Sequence, residues 1–378
     1  MNQNSNTSSN DPATPHVYPL DPFINSVIIE RLKELKAPFK IAFLDIDSTV
    51  TGPIELTNRV KSRLYELGYA LVYVTARTEE MLMSKYQYDK SVKLGFDRPR
   101  PRLGKRKNTR YYIPPEDIEP TSILDCPIIA TSSGTRILFR QQNGGYILDS
   151  HYQDRFNQSP IDWQKQTLEL LEVINQGKLF SISPVSLGIL TKADVFPPEY
   201  RIQLNFENVE QKIEFKKKVT QLKKDGEGDF SNIRITDDSN PFKGQFSVYL
   251  TPLAGSKKTA LERIINSLAK RLEIKNNRFE ILIAGDSYPD LEMGLFAALN
   301  IKGTFLVVGG SPLSRSLIED INDFAGENIT PIKQNLSGRN GIYKFKLSDM
   351  VYRRVVIGDE LFPGTKGPET ILAYLETI

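Results

Sequence analysis

The chain has 378 residues, 39% of them hydrophobic and 25% charged, and a formal net charge of +3. This describes an ordinary soluble globular protein of one large or two modest domains. It excludes a membrane-spanning helix, because no apolar run approaches about 20 residues. It also excludes an internal disulfide framework, because Cys126 is the one cysteine, and the net charge by itself implies no polyanion partner.

Residues 1–20 form a polar, low-complexity tail without the basic-then-apolar plan of a signal peptide. Such a composition is expected to be disordered, and together with the single cysteine it points to a cytoplasmic protein. The spacing of apolar residues over 21–35 predicts a helix. The run "FKIAFLDI" (39–46) predicts a buried strand, and "RVKSRLYELG" (59–68) an amphipathic helix closed by Gly68. "YALVYVT" (69–75) predicts a second buried strand. A strand, a helix and a strand joined by short links make a βαβ unit, so the sheet is expected to be parallel.

Residues 85–120 are an insertion rich in proline and arginine, with about nine basic residues between Lys90 and Arg110 against one acid, Asp97. A solvated loop or flap is the favoured reading. Electrostatic capture of an anionic substrate comes second, and nucleic-acid binding is the least favoured. Further on, the segments 178–190, 200–206, 231–238 and 244–251 read as strands, with a charged amphipathic helix over 209–224. This α+β stretch, residues 140–245, lies inside an α/β frame that resumes with a helix over 257–274, a strand over 279–285, a helix over 290–299 and a strand over 303–310. Pro368 suits the first turn of a closing helix. The organisation is thus a tail at 1–20, a core from 21–139 and 246–378, and an inserted domain at 140–245.

Candidate functional residues collect at strand ends, where parallel sheets bind their ligands. Asp45 and Asp47 follow the first strand. Side chains at i and i+2 share a face if extended geometry persists, with Ile46 pointing away. Two neighbouring carboxylates repel, and Mg²⁺, which favours oxygen ligands, would relieve that repulsion. The same acids also suit a turn or a cap. Thr75 ends the second strand and offers a hydroxyl to a phosphate oxygen. Asp286 and Asp290 follow the strand at 279–285. Ser287 and Asp290 also read as a capping box, which leaves Asp286 unexplained. Lys257 opens a helix, an unfavourable place for a cation unless an anion lies nearby. Taken alone, it also reads as an exposed lysine.

The order and strand context of these residues resemble the haloacid dehalogenase superfamily of aspartate-nucleophile phosphohydrolases. "DIDST" matches its first motif, "VTAR" its second, "SKKTAL" its third and "GDSYPDLEM" its fourth. Ala76 and Lys258 stand where glycine is common in that family. About 28 residues separate Asp47 from Thr75, too few for a folded domain, and about 180 separate Thr75 from Lys257. That spacing is similar to the branch with a large α/β cap after the second motif. "PIIATSSGTRIL" (127–138) is similar to the strand before the cap in sucrose-phosphate phosphatases.

The resemblance implies an α/β fold, a Rossmann-like parallel sheet core with an inserted α+β cap domain. It implies Asp45 as nucleophile, Asp47 as general acid and base, and Mg²⁺ held by Asp45, the backbone carbonyl of Asp47, and Asp286. Thr75 and Lys257 would hold the phosphoryl oxygens, with Asp290 and Thr49 in support. The implied partner is a small phosphorylated substrate, best a sugar phosphate, and not a membrane. A catalytically idle binding module using the basic insertion, or a phosphotransferase with a non-water acceptor, are the alternatives. In the inserted domain Trp163, His151 and Tyr200 are candidate substrate contacts, Trp163 reading better as packing.

Overall fold

The computed structural model describes residues 39–78, 110–111, 126–140, 146–157, 163–175, 178–183, 200–225, 230, 232–238, 244–272, 278–300, 302–319, 329–331, 341–347 and 351–378. The expected tail, the helix over 21–35 and nearly all of the basic insertion lie outside these residues.

The first half of the core runs β1 (Phe39–Leu44), α1 (Ile54–Glu66), β2 (Tyr69–Val74), β3 (Arg110–Tyr111), β4 (Ile128–Thr131), β5 (Arg136–Arg140) and β6 (Tyr146–Leu148), followed by α2 (Ser150–Asn157). A smaller unit follows, with α3 (Trp163–Ile174), β7 (Ser181–Ile182), β8 (Ile202–Phe206), α4 (Val209–Asp225), β9 (Ile233–Asp237) and β10 (Phe246–Pro252). The core resumes with α5 (Lys257–Leu272), β11 (Phe279–Gly285), α6 (Tyr288–Asn300), β12 (Lys302–Val307) and α7 (Pro312–Glu319). It ends with β13 (Ile329–Pro331), β14 (Ile342–Leu347), β15 (Val351–Ile357), α8 (Gly358–Leu361) and α9 (Pro368–Leu375).

Among the described residues these strands form two sheets. The large one has the order β13-β14-β15-β12-β11-β1-β2-β4-β5-β6-β3. Its six central strands, β15 to β4, run parallel, with β1 between β11 and β2. The antiparallel additions β14–β13 and β5–β6–β3 widen it at both edges. The parallel centre explains the continuous apolar runs: β1 loses water from residue 41 onward and β2 along its whole length, as expected of strands covered on both faces. One face packs Val60 and Leu64 of α1 and Ile371 and Leu375 of α9 against Ala42, Leu44 and Leu71. Pro368 opens α9 at its first turn, as the sequence predicts.

The four-stranded sheet has the order β7-β8-β10-β9, all antiparallel. In β8, Ile202, Leu204 and Phe206 are buried and Gln203 and Asn205 half-buried, the alternation of a sheet with one face covered. Helices α3 and α4 supply the cover. Phe180, Phe206 and Phe215 pack with ring centroids 5.4–6.0 Å apart, a spacing typical of stabilising aromatic pairs. Trp163 packs against Tyr200 in the same core, 6.0 Å between centroids.

The limits of the small sheet differ from the expected insertion, 140–245. β6 (Tyr146–Leu148) belongs to the large sheet, and β10 (Phe246–Pro252), past the expected end, belongs to the small one. Composition does not reveal which sheet a strand at such a boundary joins.

Candidate active site

The functional side chains gather at the carboxyl rim of the large sheet because its central strands all end on one side. Asp45 follows β1 and its backbone N–H still bonds to Ala284 O of β11 at 2.9 Å. Extended geometry stops there. The next residues turn, and Ser48 adopts φ 59°. The i, i+2 reading therefore holds only in part. Asp45 is buried, whereas Asp47 is mostly exposed and turned to Arg77. Arg77 grips it bidentately, Nε donating to Oδ2 at 2.7 Å and Nη2 to Oδ1. The turn after β1 is closed on its far side by Gly367 and Pro368. A Cβ on Gly367 would sit 3.1 Å from Ser48 O, and one on Gly52 only 2.8 Å from Pro368 Cγ.

Lys257, the first residue of α5, is buried and spans the site. Its Nζ donates to Asp45 Oδ1 and to Asp290 Oδ1, each at 2.6 Å. The alternative of an exposed lysine at a helix end does not hold. The anions that offset its position are these two carboxylates, from the end of β1 and the start of α6. The other oxygen of Asp290 is engaged as well. Its Oδ2 accepts from Ser287 Oγ at 2.6 Å and from the N–H groups of Asp286 and Ser287. Asp290 thus caps its helix and holds the lysine at once. This crowding needs Gly285, since a Cβ there would lie 2.2 Å from the Cβ of Asp290.

Asp286 completes a cluster: one carboxylate oxygen each from Asp45, Asp286 and Asp290 all lie within 4.8 Å of one another. Asp47's side chain is not part of that group. Burial pushes the carboxyl of Asp45 up to about 7, Lys257 opposing and Asp290 and Asp47 adding to the rise. Burial, then Asp45 and Asp290, push Asp286 well above the usual carboxylate range. Burial pulls on Lys257 in the opposite sense, yet Asp290 and Asp45 outweigh it and hold the ammonium above its ordinary value. Two buried acids that resist ionisation beside a third are short of positive charge. A hard divalent cation with oxygen ligands fits that deficit, and the donor set suits Mg²⁺.

Thr75 follows β2 and is fully buried. Its N–H bonds Ala130 O at 2.8 Å and its Oγ1 accepts from the N–H of Arg77 at 3.1 Å. Thr49 donates to Asp45 Oδ2 over 3.5 Å, a long contact, from inside the turn.

Two features are not apparent from the sequence pattern. One is the Arg77–Asp47 pair. The other is the turn after β4, where Ser132, Ser133 and Gly134 take φ of 51°, 58° and 85°. Its backbone docks on the neighbouring loop, Ser132 N to Arg77 O at 2.7 Å and Ser133 N to Thr75 O at 3.0 Å. Gly134 lets the start of α5 approach, for a Cβ there would lie 2.2 Å from Ser256 O. Gly134 was the one signal in the sequence, since glycine takes such backbone angles without a Cβ penalty; Ser132 and Ser133 bear that penalty, so their conformation is not legible from residue type.

The fold and site thus define an α/β protein whose buried acidic cluster and clamped lysine lie at the carboxyl rim of a mixed sheet. No protein-family model matches the chain, and no curated protein matches it in sequence. Among solved structures it is similar to the sucrose-phosphatase of Synechocystis sp. PCC6803 in complex with sucrose and phosphate, at 15% identity and a TM-score of 0.44, over 76% of this chain and 88% of that one. It is similar also to a haloacid dehalogenase-like hydrolase from Bacillus subtilis, at 14% identity and a TM-score of 0.38, over 80% of this chain and 99% of that one. An N-terminally truncated IMP-nucleotidase of Plasmodium falciparum is similar at 12% identity and a TM-score of 0.36, over 71% of this chain and 68% of that one. No helix among the described residues is long and apolar enough to cross a membrane.

Proposed function

We propose that the chain is a Mg²⁺-dependent phosphomonoesterase of the haloacid dehalogenase type, acting on a sugar phosphate or a related small phosphomonoester through an aspartyl-phosphate. The observation that carries this reading is the buried Lys257 ammonium held 2.6 Å from both Asp45 and Asp290, with Asp286 in the same cluster. A buried charge set of this kind costs stability unless it is paired. It is what an anionic nucleophile beside a cation requires.

In the proposed reaction an Asp45 carboxylate oxygen attacks phosphorus and the bond to the ester oxygen breaks. Asp47 gives its proton to the departing alkoxide. Water then attacks the aspartyl-phosphate, Asp47 takes a proton from it, and inorganic phosphate leaves with Asp45 restored. Lys257 lowers the cost of ionising buried Asp45 and offers positive charge to the phosphoryl oxygens, while the Thr75 hydroxyl offers them a hydrogen bond. Asp45, Asp286 and the backbone carbonyl of Asp47 would hold Mg²⁺, with Asp290 fixing Lys257 beside it. The metal supplies neutralisation of the clustered acids and polarisation of the phosphoryl group. Electrostatic positioning of this sort is most of phosphoryl-transfer catalysis. Arg77 keeps Asp47 at the rim, and its release from that pair is needed before Asp47 can reach a leaving group. The small sheet with α3 and α4 is the cap in this reading, and the cytoplasm the setting.

The test is phosphate release from a panel of hexose, disaccharide and glycerate phosphates, with Mg²⁺ and with EDTA. Asp45→Asn keeps the side chain's size but removes its charge and nucleophile, and turnover should vanish. Wild-type activity in that variant would falsify the proposed chemistry.

A further inference from the structure

The small sheet has a second face, opposite α3 and α4, and it is polar throughout. Strand alternation assigns it. Val248 and Leu250 of β10 and Ile202 and Leu204 of β8 are in the apolar core, and Asp237 is bound by Lys212 and Lys216 of α4. The residues between them therefore point the other way. The register pairs Tyr249 with Gln203 and with Thr236, and Ser247 with Asn205. Asp238 continues the row beside Ser247, whose Oγ donates to Asp238 O at 3.0 Å.

An ion pair shows where this face is turned. Arg234, on the same side of β9, donates from Nη1 to both carboxylate oxygens of Glu292 at 2.6 and 2.7 Å. Glu292 lies two residues after Asp290, in the first turns of α6. The polar face thus meets the core beside the acidic cluster. Electrostatics agree: Lys257 and Asp290 act through space on the Asp238 carboxyl, and Asp238 adds to the rise of Asp286.

The face is also wired internally. The Arg201 guanidinium lies 3.7 Å from the centroid of the Tyr249 ring and donates to Gln203 Oε1 at 3.0 Å. Gln203 passes a hydrogen bond to Asn205 Oδ1 at 3.2 Å. Burial pushes the Asp238 carboxyl up to about 6, with Tyr249 and Arg201 drawing it back down. Arg201 and Tyr249 are buried, whereas Gln203, Asn205 and Asp238 are half-exposed. A sheet face of this form presents fixed donors and acceptors to a ligand laid against it.

We propose that Gln203, Asn205 and Asp238, braced by Arg201, Ser247 and Tyr249, form the subsite for the leaving group, and that this group is polyhydroxylated rather than a nucleoside. This rests on the phosphatase reading of the rim. Side-chain amides and a carboxylate supply both donors and acceptors, the complement of vicinal hydroxyls. A purine or pyrimidine would want an open aromatic face, and the guanidinium of Arg201 occupies that of Tyr249. No other aromatic side chain stands on this face among the described residues of β8, β9 and β10.

The test compares wild type with Gln203→Leu and Asp238→Asn, in Mg²⁺, on hexose and disaccharide phosphates, on nucleoside monophosphates and on p-nitrophenyl phosphate. Gln203 is half-exposed, so its replacement spares the core; circular dichroism and a melting curve verify folding. Wild type should prefer the sugar phosphates. In Gln203→Leu the ratio of kcat/KM for the preferred sugar phosphate to that for p-nitrophenyl phosphate should fall about tenfold, mostly through KM, the worth of one or two hydrogen bonds. A uniform loss on all substrates, or a wild-type preference for nucleotides, overturns the subsite. If wild type cleaves no phosphomonoester, the phosphatase reading fails by itself. The subsite is then judged by saturation-transfer NMR with unphosphorylated hexoses and disaccharides, where contact in wild type and its loss in Gln203→Leu support it, and no contact in wild type overturns it.

Discussion

The rim of the large sheet and the open face of the small one use polar residues in opposite ways. At the rim, Asp45, Asp290 and Lys257 are almost wholly withdrawn from water, with side chains 5%, 0% and 2% exposed. On the small sheet Gln203, Asn205 and Asp238 stay half-open, and the ion pair nearest them, Arg234 with Glu292, is 26% and 38% exposed. The rim stands on a parallel sheet whose strands are enclosed by helices and by one another. It can therefore hold charge at short range, where a low dielectric makes each interaction strong. The small sheet is only four short strands with one face covered. The contrast teaches that the enclosed sheet can hold unsolvated charge at short range, which the proposed reaction would use, whereas the open face keeps its polar groups within reach of solvent, which the proposed subsite would use.

That contrast predicts a descending series of effects. Asp47→Asn leaves Asp45, Asp286, Asp290 and Lys257 in place, removes the proposed proton donor and breaks its ion pair with Arg77. Turnover should fall by about 10²–10⁴, and less for p-nitrophenyl phosphate, whose leaving group needs little protonation. An equal loss on every ester would mean that Asp47 acts otherwise. Lys257→Met strips the buried cation from two buried carboxylates. A chemical denaturation curve should show a loss of about 3–5 kcal/mol, alongside lost activity. A loss below about 1 kcal/mol would place the rim in the same energetic class as the small sheet.

The pH dependence of metal binding is the next test. Burial raises Asp45 to about 7, so its contribution to stability is full below the unfolded value, near 4, and lost as pH rises through about 7. Asp286 shifts in the same direction. Lys257 is shifted upward too, but its stabilising contribution is lost only above its ordinary range and leaves this window untouched. Metal-free protein should therefore gain more melting temperature from Mg²⁺ at about pH 8 than at about pH 5. Equal gains would argue against the cluster as the metal site. The smallest effect belongs to the small sheet: Arg234→Gln breaks a half-exposed pair and should cost about 0–1 kcal/mol.

Much of the rim was legible in the sequence because its residues sit at the ends of long apolar runs. "FKIAFL" and "FEILIAG" are short, mostly apolar runs of strand length, and the acids after them fall where the chain leaves the sheet. What Asp47 does was not legible. Its direction depends on a turn that starts one residue sooner than an extended strand allows, and on Arg77, about 30 residues away, in the next loop. The polar face of the small sheet was hidden for a different reason. Arg201, Asp238 and Tyr249 come from three segments brought together by the register of β8, β9 and β10, Arg201 just before β8 and Asp238 just after β9, and each alone is an unremarkable polar residue. The edge strands β3 and β13 have only two and three residues, too few to show a period, so those borders of the large sheet were missed; β14, "IYKFKL", does alternate apolar residues with lysine and was legible but not read.

The position of β1 has a consequence for how the molecule comes into being. β1 is flanked by β2, which follows within 30 residues, and by β11, which begins at Phe279. A chain emerging from the ribosome thus holds its first strand with one edge bare while more than two hundred further residues are made. Until β11 is added, Asp45 has neither Lys257 nor the hydrogen-bond partner at Ala284 in place. Parallel pairing across such a separation closes slowly, and an open strand edge invites the wrong neighbour. A nascent-chain pulse-proteolysis series should show residues 39–50 protected only after the segment through Gly285 has cleared the exit tunnel.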